Sequence, residues 1–369
     1  MKAFPQPLDL KKVKAYPLSQ RRSLSAIEQM LVDPARPAPA CSPEMLAQIR
    51  TCAANIKSAR ERGSSVMLLY GAHLVKNGLL SVVNALIEHG WITHLATNGA
   101  GSIHDWEFAF QNWSTESVEQ NVATGTFGAW EETGRCIHLA LLAGGLRGEG
   151  YGAALGRFIH EEGVTLPPAA ELEKLLRAEP AHPLAPARAD LLVAMRGHAL
   201  TPGRTELRHP WKHTSIFGNA FRRGIPLSVH PGIGYDFISN HPMFIGAAIG
   251  RAAGEDFRLF GGAVEGLDGG VVLSVGSAIM APQVFEKSLS CVNNIRLQSG
   301  RGIVRDHRIY VVDLQDGGNW DWTRGEPPRD NPAYYLRFCK SFSRMGGAMH
   351  YLQCDNVAFV HNLLHRLKG

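Results

Sequence analysis

This 369-residue sequence lacks the motifs and composition that mark several protein classes. Its six cysteines include no CxxC pair and no HExxH motif occurs, so we expect reduced thiols, structural histidines and no metal site. No apolar run approaches the roughly 18 residues of a membrane span, and the first residues lack the apolar segment of a signal peptide. The net charge of +5 is spread without a dense lysine–arginine cluster. These absences predict a soluble, cytoplasmic protein that binds neither nucleic acid nor membrane.

Buried strands alternate with amphipathic helices along most of the chain. The apolar run 66–70 is followed by Gly71 and a helical pattern, and a second strand over 92–97 ends in the glycine-rich turn 98–102. The same alternation returns after residue 215. We therefore predict an α/β fold with a doubly wound, mostly parallel Rossmann-like sheet.

The other segments fit around that sheet. Residues 1–62 read as an N-terminal arm with helices, and residues 63–369 as one Rossmann-like catalytic domain. A stretch at about 145–212 interrupts the strand–helix alternation and is predicted to be a helical insertion that covers the site or builds a subunit contact.

Small residues follow three of the predicted strands. In a parallel sheet such loops meet at the carboxyl edge, where backbone N–H groups can hold a phosphate, so they predict a nucleotide site. Neither of the first two loops matches GxGxxG or the P-loop, and a glycine after a strand often does no more than form a turn. The residues concerned are Gly71, Ala72, His73, Asn98, Gly99, Ala100, Gly101, Gly276 and Ser277.

Carboxylates and tryptophans mark two further loops. Asp236 follows Gly-x-Gly-Tyr at a strand end, where it either contacts a ligand or caps the next helix. A second loop holds two carboxylates and two indoles, which either grip a cation or form an ordinary surface loop. Its residues are Asp316, Trp320, Asp321 and Trp322.

The order of these loops resembles that of deoxyhypusine synthases. In that family a Thr-Ser-Asn-Leu-Ile-Ser-Ser-Gly segment is followed, one helix later, by Thr-Thr-Ala-Gly-Gly and an acidic pair. The corresponding stretches here are 71–78 and 97–101, with Asp105 in the acidic place. Residues 225–236, 273–279 and Asp355 with its helix resemble later parts of the family pattern.

The resemblance implies NAD as cofactor, with Asp105 and Asp355 among its contacts, and a homotetramer with sites at subunit interfaces. It also implies hydride removal from an amine or polyamine such as spermidine, and transfer of the aminoalkyl group through an enzyme imine to a protein lysine. The imine lysine corresponds to Lys340 when a short gap is allowed, although a lysine late in a helix is often only a solvated charge.

The sequence departs from the family where the chemistry lies. Met280, Ala281 and Pro282 replace the Lys-His-His that follows the glycines. Three hypotheses therefore stay open: a deoxyhypusine synthase-like transferase with Lys340 and Asp236 as catalytic groups, an NAD enzyme for another small metabolite, and an inactive relative that serves as a binding or regulatory subunit.

Overall fold

A computed structural model describes residues 4–369, apart from the side chain of Phe237. No helix in this range combines the length and apolarity that a bilayer span requires. The strands are β1 Ser25–Ala26, β2 Val66–Tyr70, β3 His94–Thr97, β4 Trp113–Ser114, β5 Gly163–Leu166, β6 Gly203–Glu206, β7 Leu227–Val229, β8 Val271–Val275, β9 Arg308–Asp313 and β10 Ala348–Gln353.

The α-helices alternate with these strands. They are α1 Ile27–Met30, α2 Pro43–Glu61, α3 Ala72–Lys76, α4 Leu80–Glu88, α5 Gly99–Gln111, α6 Val118–Ala123, α7 Glu131–Gly145, α8 Tyr151–His160, α9 Ala169–Ala178, α10 Ala185–Gly197, α11 Ile216–Arg223, α12 Gly246–Glu265, α13 Met280–Gln298, α14 Arg337–Ser343 and α15 Asn356–Lys368.

Six parallel strands form the central sheet, in the order β10-β9-β8-β2-β3-β7. The first of them, β2, lies in the middle. The chain winds outward through β3 and β7 on one side, and then through β8, β9 and β10 on the other. This is the strand order of doubly wound dinucleotide-binding sheets, and it confirms the predicted fold class.

Helices cover both faces of this sheet. Because side chains alternate along a strand, Val66, Leu68 and Tyr70 of β2 enter one core, with α2, α4, α5, α8, α11 and α15. Met67 and Leu69 enter the other core, with α12, α13 and α14. Both faces are therefore apolar, which explains the uninterrupted hydrophobic runs in the sequence.

Side-chain caps fix where several helices begin. Ser42 accepts a hydrogen bond from Met45 N at the start of α2, with a proline at the first helical position. Asn98 accepts from Gly101 N at the start of α5. These caps place the first turn of α5 directly above the end of β3.

The region 145–212 contains α8, α9 and α10. It also contains an antiparallel pair of strands, β5 and β6, which the sequence pattern did not indicate. The β6 sequence, GRTE, is fully exposed, so it carries no alternation of apolar and polar residues from which a strand is recognised.

The two ends of the chain meet on the α2–α15 side of the sheet. Asn362 Nδ2 donates to the carbonyl of Pro39 at 2.9 Å, and His365 Nε2 lies 3.0 Å from the carbonyl of Arg36. Residues 4–9, which we call the terminal segment, are exposed and have no regular structure. The chain after it joins the body at Tyr16, whose N–H donates to the carbonyl of Ala129 at 2.8 Å.

Candidate functional site

The chain changes direction between β2 and β8, and this switch point brings two glycines together. Gly71 follows β2, and its N–H donates to the carbonyl of Val275 at 3.2 Å. A Cβ on Gly71 would collide with the carbonyl oxygen of Gly276, which follows β8 and has a φ of +58°. Only a residue without a side chain fits at position 71. Doubly wound sheets bind their ligands in the crevice at such a switch point.

Backbone donors remain open in these two loops. Within residues 4–369 no protein group accepts a hydrogen bond from the N–H of Ala72, His73 or Ser277. The Ser277 hydroxyl instead accepts from Ala281 N at 3.3 Å, which steadies the first turn of α13. Open N–H groups beside glycines let a pyrophosphate approach the backbone, so this crevice suits the phosphates of a dinucleotide.

The third predicted loop, Asn98–Gly101, is already engaged by a carboxylate of the protein. Asp236 Oδ2 accepts a hydrogen bond from Gly232 N at 2.8 Å, and its carboxylate also faces the backbone N–H groups of Gly99 and Ala100. Burial raises the pKa of Asp236, and the three N–H donors oppose that rise. The structure thus joins Asp236 to this loop, and an anionic ligand would have to displace it.

Asp105 lies deeper, on the inner side of α5. Its carboxylate accepts from the Ser215 hydroxyl at 2.5 Å and from Ile216 N at 2.7 Å, so it supports the start of α11. It is fully buried, and burial raises its pKa to about 7. These contacts link two helices, and its predicted part in NAD binding stays a prediction.

Asp355 caps α15 on the other side of the switch point. Its carboxylate accepts from Val357 N at 2.8 Å and from Ala358 N at 3.1 Å. The neighbouring Asn356 points toward Gly276, where a Cβ would lie 2.8 Å from Asn356 Nδ2. The start of α15 therefore adjoins the crevice between Gly71 and Gly276.

The aromatic loop lies away from the switch point, beside the edge strand β10. Trp320, Asp321 and Trp322 line a groove of about 720 Å³ whose other wall is the first half of α2 and whose floor is β10; we call it the edge groove. Trp322 is buried, and Trp320 Nε1 donates to the carbonyl of Gly325 at 2.9 Å. Asp316 accepts from Gly318 N at 2.8 Å. Their predicted part in substrate binding stays a prediction.

Lys340 lies in α14 and is held by two neighbours. Its ammonium is 2.6 Å from Glu326 Oε1 and 3.6 Å from the centre of the Tyr334 ring. The side chain is largely buried, with an exposed fraction of 17%. An acid and an aromatic face both favour the charged ammonium, whereas a nucleophilic lysine has to lose its proton.

Two polar clusters were not found from the sequence. The Ser228 hydroxyl lies 3.0 Å from both His94 Nε2 and His230 Nε2, and burial lowers the pKa of His94 to about 3 and of His230 to about 4, so both rings are neutral at pH 7. Asp256 of α12 accepts from Val229 N at 2.7 Å and from Gly152 N at 2.9 Å. The period-two spacing of Ser228 and His230 was the only sequence signal for either cluster.

Comparison with protein-family models and with curated proteins finds no match to this chain. Distant likenesses occur among solved structures. Unliganded AgrE is 12% identical with a TM-score of 0.43, over 90% of this chain and 34% of AgrE. ArgZ, an arginine dihydrolase from the ornithine–ammonia cycle in cyanobacteria, is 10% identical with a TM-score of 0.43, over 90% of this chain and 33% of ArgZ.

A conserved putative LOR/SDH protein from Methanococcus maripaludis S2 is 12% identical with a TM-score of 0.42, over 91% of this chain and 73% of that protein. This chain spans about a third of the length of AgrE and ArgZ. Likenesses this distant say nothing of what the chain does, so the interpretation of the site depends on its own residues.

Proposed function

We propose that this protein binds NAD in the crevice between Gly71 and Gly276 and uses it to oxidise a small amine or polyamine. The observation that carries the proposal is the contact of these two glycines at the switch point of a doubly wound sheet. Bound NAD would accept a hydride from the carbon next to the amine nitrogen.

The residues present fit the phosphates of NAD better at the switch point than at α5. Ala72, His73 and Ser277 offer open N–H donors, whereas the Asp236 carboxylate occupies the space in front of Gly99 and Ala100. We therefore infer that the pyrophosphate lies over the β2 and β8 loops and that Asp236 stays in place.

Calorimetric titration with NAD tests the cofactor. His73 and His89 are both exposed, one at the carboxyl edge beside Gly71 and the other at the opposite end of the molecule, after α4. His73→Glu adds a carboxylate next to the phosphates and should weaken NAD binding at least tenfold, about 1.4 kcal/mol. His89→Glu is the matched control and should change affinity less than about twofold. Wild-type protein that takes up no NAD at millimolar concentration would refute the proposal.

The finer reaction concerns Lys340. We infer that Lys340, paired with Glu326 at 2.6 Å when charged, gives up a proton to solvent before it reacts. Its free amine then attacks the imine carbon of the oxidised substrate, and the enzyme imine forms as the original amine nitrogen leaves with its remaining substituent. Incubation with NAD, spermidine and borohydride should leave added mass on the peptide that contains Lys340, and Lys340→Ala should abolish it without changing NAD affinity. Ornithine, which AgrE binds together with NAD+, is a second amine to try.

A second candidate function is an NAD-binding subunit without chemistry of its own. The contacts of Lys340 with Glu326 and Tyr334 favour this candidate. No other described group draws the ammonium away from them, so the lysine is not free to act as a nucleophile. The two functions differ in one measurement. If NAD binds but no NADH absorbance appears with any amine offered and borohydride traps nothing, the binding subunit is correct and the enzyme is not.

A further inference from the structure

The outer edge of β10 carries unpaired backbone groups. Among the strands that the structure describes, β10 pairs with β9 alone, through the N–H groups of Ala348 and of the alternate residues up to Cys354. The residues between them, Met349, Tyr351 and Gln353, direct their N–H and C=O groups to the other side. Within residues 4–369 those backbone groups have no hydrogen-bond partner.

The sequence of β10 has none of the residues that normally protect an edge strand. Its sequence, AMHYLQ, contains no proline, lysine or carboxylate, the residues that natural edge strands use to prevent further pairing. The edge groove runs along it, with α2 on one side and the loop of Trp320 on the other. Walls on both sides admit a single extended segment and would obstruct a second complete sheet.

The terminal segment has the complementary properties. Phe4 and Leu8 have exposed fractions of 93% and 81%, although both are large and apolar. Prolines occupy positions 5 and 7, so in extended conformation all N–H groups of residues 4–8 lie on the side of Phe4, Gln6 and Leu8. A segment of this kind pairs on one side only and leaves the opposite side blocked, as an outermost strand requires.

Charge supports the same pairing. Lys11 and Lys12 follow the terminal segment after Leu10 and have no ion-pair partner in the described part of the chain. Asp321 lines the edge groove, and Asp316 precedes the lining residue Gly317. Both carboxylates are exposed, and neither has an ion-pair partner within residues 4–369. Unpaired opposite charges beside two complementary surfaces steer association and fix its direction.

We propose that the terminal segment of one copy of this chain adds as a strand to the free edge of β10 in a second copy. Its backbone N–H and C=O groups satisfy those of Met349, Tyr351 and Gln353, as in other cases of strand addition. Phe4 and Leu8 then leave water for the groove.

A second copy provides the segment more readily than the same chain does. After the terminal segment the chain joins the body beside Trp130, where α7 begins, and α7 packs on α8 and α12, the helices that cover β7. β7 and β10 are opposite edges of a six-stranded sheet, about 24 Å apart. Within one chain the segment would have to pass round the outside of the helical layers, whereas a neighbouring molecule meets no such obstacle.

Sedimentation velocity over a range of concentrations tests the proposal with a matched pair of variants. Gln6→Pro removes an N–H from the pairing side, whereas Pro7→Ala changes only the blocked side. We expect the wild-type chain to associate, Gln6→Pro to weaken association at least tenfold, about 1.4 kcal/mol, and Pro7→Ala to change it less than about threefold. A chain that stays monomeric, or one whose association Gln6→Pro leaves intact, would overturn the proposal.

Cross-linking identifies the contact itself. A photoreactive phenylalanine at position 4, in a mixture of isotopically heavy and light chains, should give peptides that join residue 4 of one copy to the edge groove of the other. Products that are only heavy–heavy and light–light within single chains would overturn the exchange between copies. NAD affinity should be the same in Gln6→Pro and wild type, so failure of this proposal and failure of the proposed function are separately visible.

Discussion

A Cβ placed on Gly99 would overlap with the carboxylate of Asp236. The side chain of Asp236 fills the space above the first turn of α5, and Gly99 is what lets it enter. We expect Gly99→Ala to lower the free energy of unfolding by about 1–3 kcal/mol, the usual cost of an added methyl in a packed site. Urea denaturation measures it.

Two further variants show whether overlap between residues 99 and 236 causes the loss of stability. In Gly99→Ala/Asp236→Ala the overlap is gone, so the double variant should be more stable than the sum of the single effects. Gly254→Ala is the control, because nothing lies within 4 Å of a Cβ there in α12 and alanine favours a helix by about 1 kcal/mol. Additive effects would show that residues 99 and 236 do not compete for space.

Arg21 and Glu107 form a bidentate ion pair with distances of 2.7 and 2.8 Å, and both side chains have an exposed fraction of 1%. Arg21→Leu leaves a buried carboxylate without its cation, which should cost roughly 3–5 kcal/mol in chemical denaturation. Arg36→Leu removes one member of the exposed pair with Asp33 and should cost less than about 1 kcal/mol. Equal losses in the two variants would contradict the buried pair.

His209 should make the protein sensitive to acid. Its ring lies among Trp106, Phe110 and Phe158, and within residues 4–369 neither ring nitrogen has a hydrogen-bond partner. Burial lowers its pKa to about 4. In the unfolded chain this histidine has the ordinary pKa near 6.5, so between about pH 4 and pH 6.5 the unfolded chain binds more protons than the folded one. The stabilising contribution is therefore complete above pH 6.5 and is lost as the pH falls toward 4, by at most about 1.4 kcal/mol per pH unit.

His209→Phe removes this group while keeping the ring. Its free energy of unfolding, measured in urea between pH 4 and pH 7, should fall less steeply with acid than that of the wild type. The exposed His213→Phe should leave the slope unchanged. Parallel curves for wild type and His209→Phe would refute the prediction.

Asp256 has the opposite dependence on pH. Burial raises its pKa to about 7, so between the unfolded value near 3.8 and pH 7 the folded chain binds more protons than the unfolded one. Its contribution to the free energy of unfolding therefore decreases as the pH rises through this window. The Asp256→Asn side chain cannot ionise. The difference in free energy of unfolding between wild type and this variant should therefore shift in favour of the variant from pH 4 to pH 7. A difference that does not change with pH would contradict the raised pKa.

The sequence predicted the strands of the central sheet closely because their signal is local. The strand expected over residues 66–70 is Val66–Tyr70, since a strand buried on both faces is a continuous apolar run. Glycines after β2 and β8 were likewise visible, and the alternation of strands and helices predicted that their loops share one edge of a parallel sheet. The fold class could therefore be predicted from sequence alone, whereas the switch point depends on strand order.

Contacts between distant segments could not be predicted from the sequence. Asp236 meets Gly99 across 137 positions of sequence, and nothing near either residue indicates the other. The location of Trp320 beside an edge strand depends on β10 being outermost, which is a property of strand order and not of the loop itself. Strand order depends on the sum of all packing interactions, so residues that it brings together leave no local pattern.

The contacts of Pro39 with Asn362 and of Arg36 with His365 have a consequence during protein synthesis. The ribosome makes α2 long before α15, so the part of α2 that packs on α15 stays uncovered while the chain between them is translated. That apolar side is therefore a surface that a chaperone at the ribosome could protect.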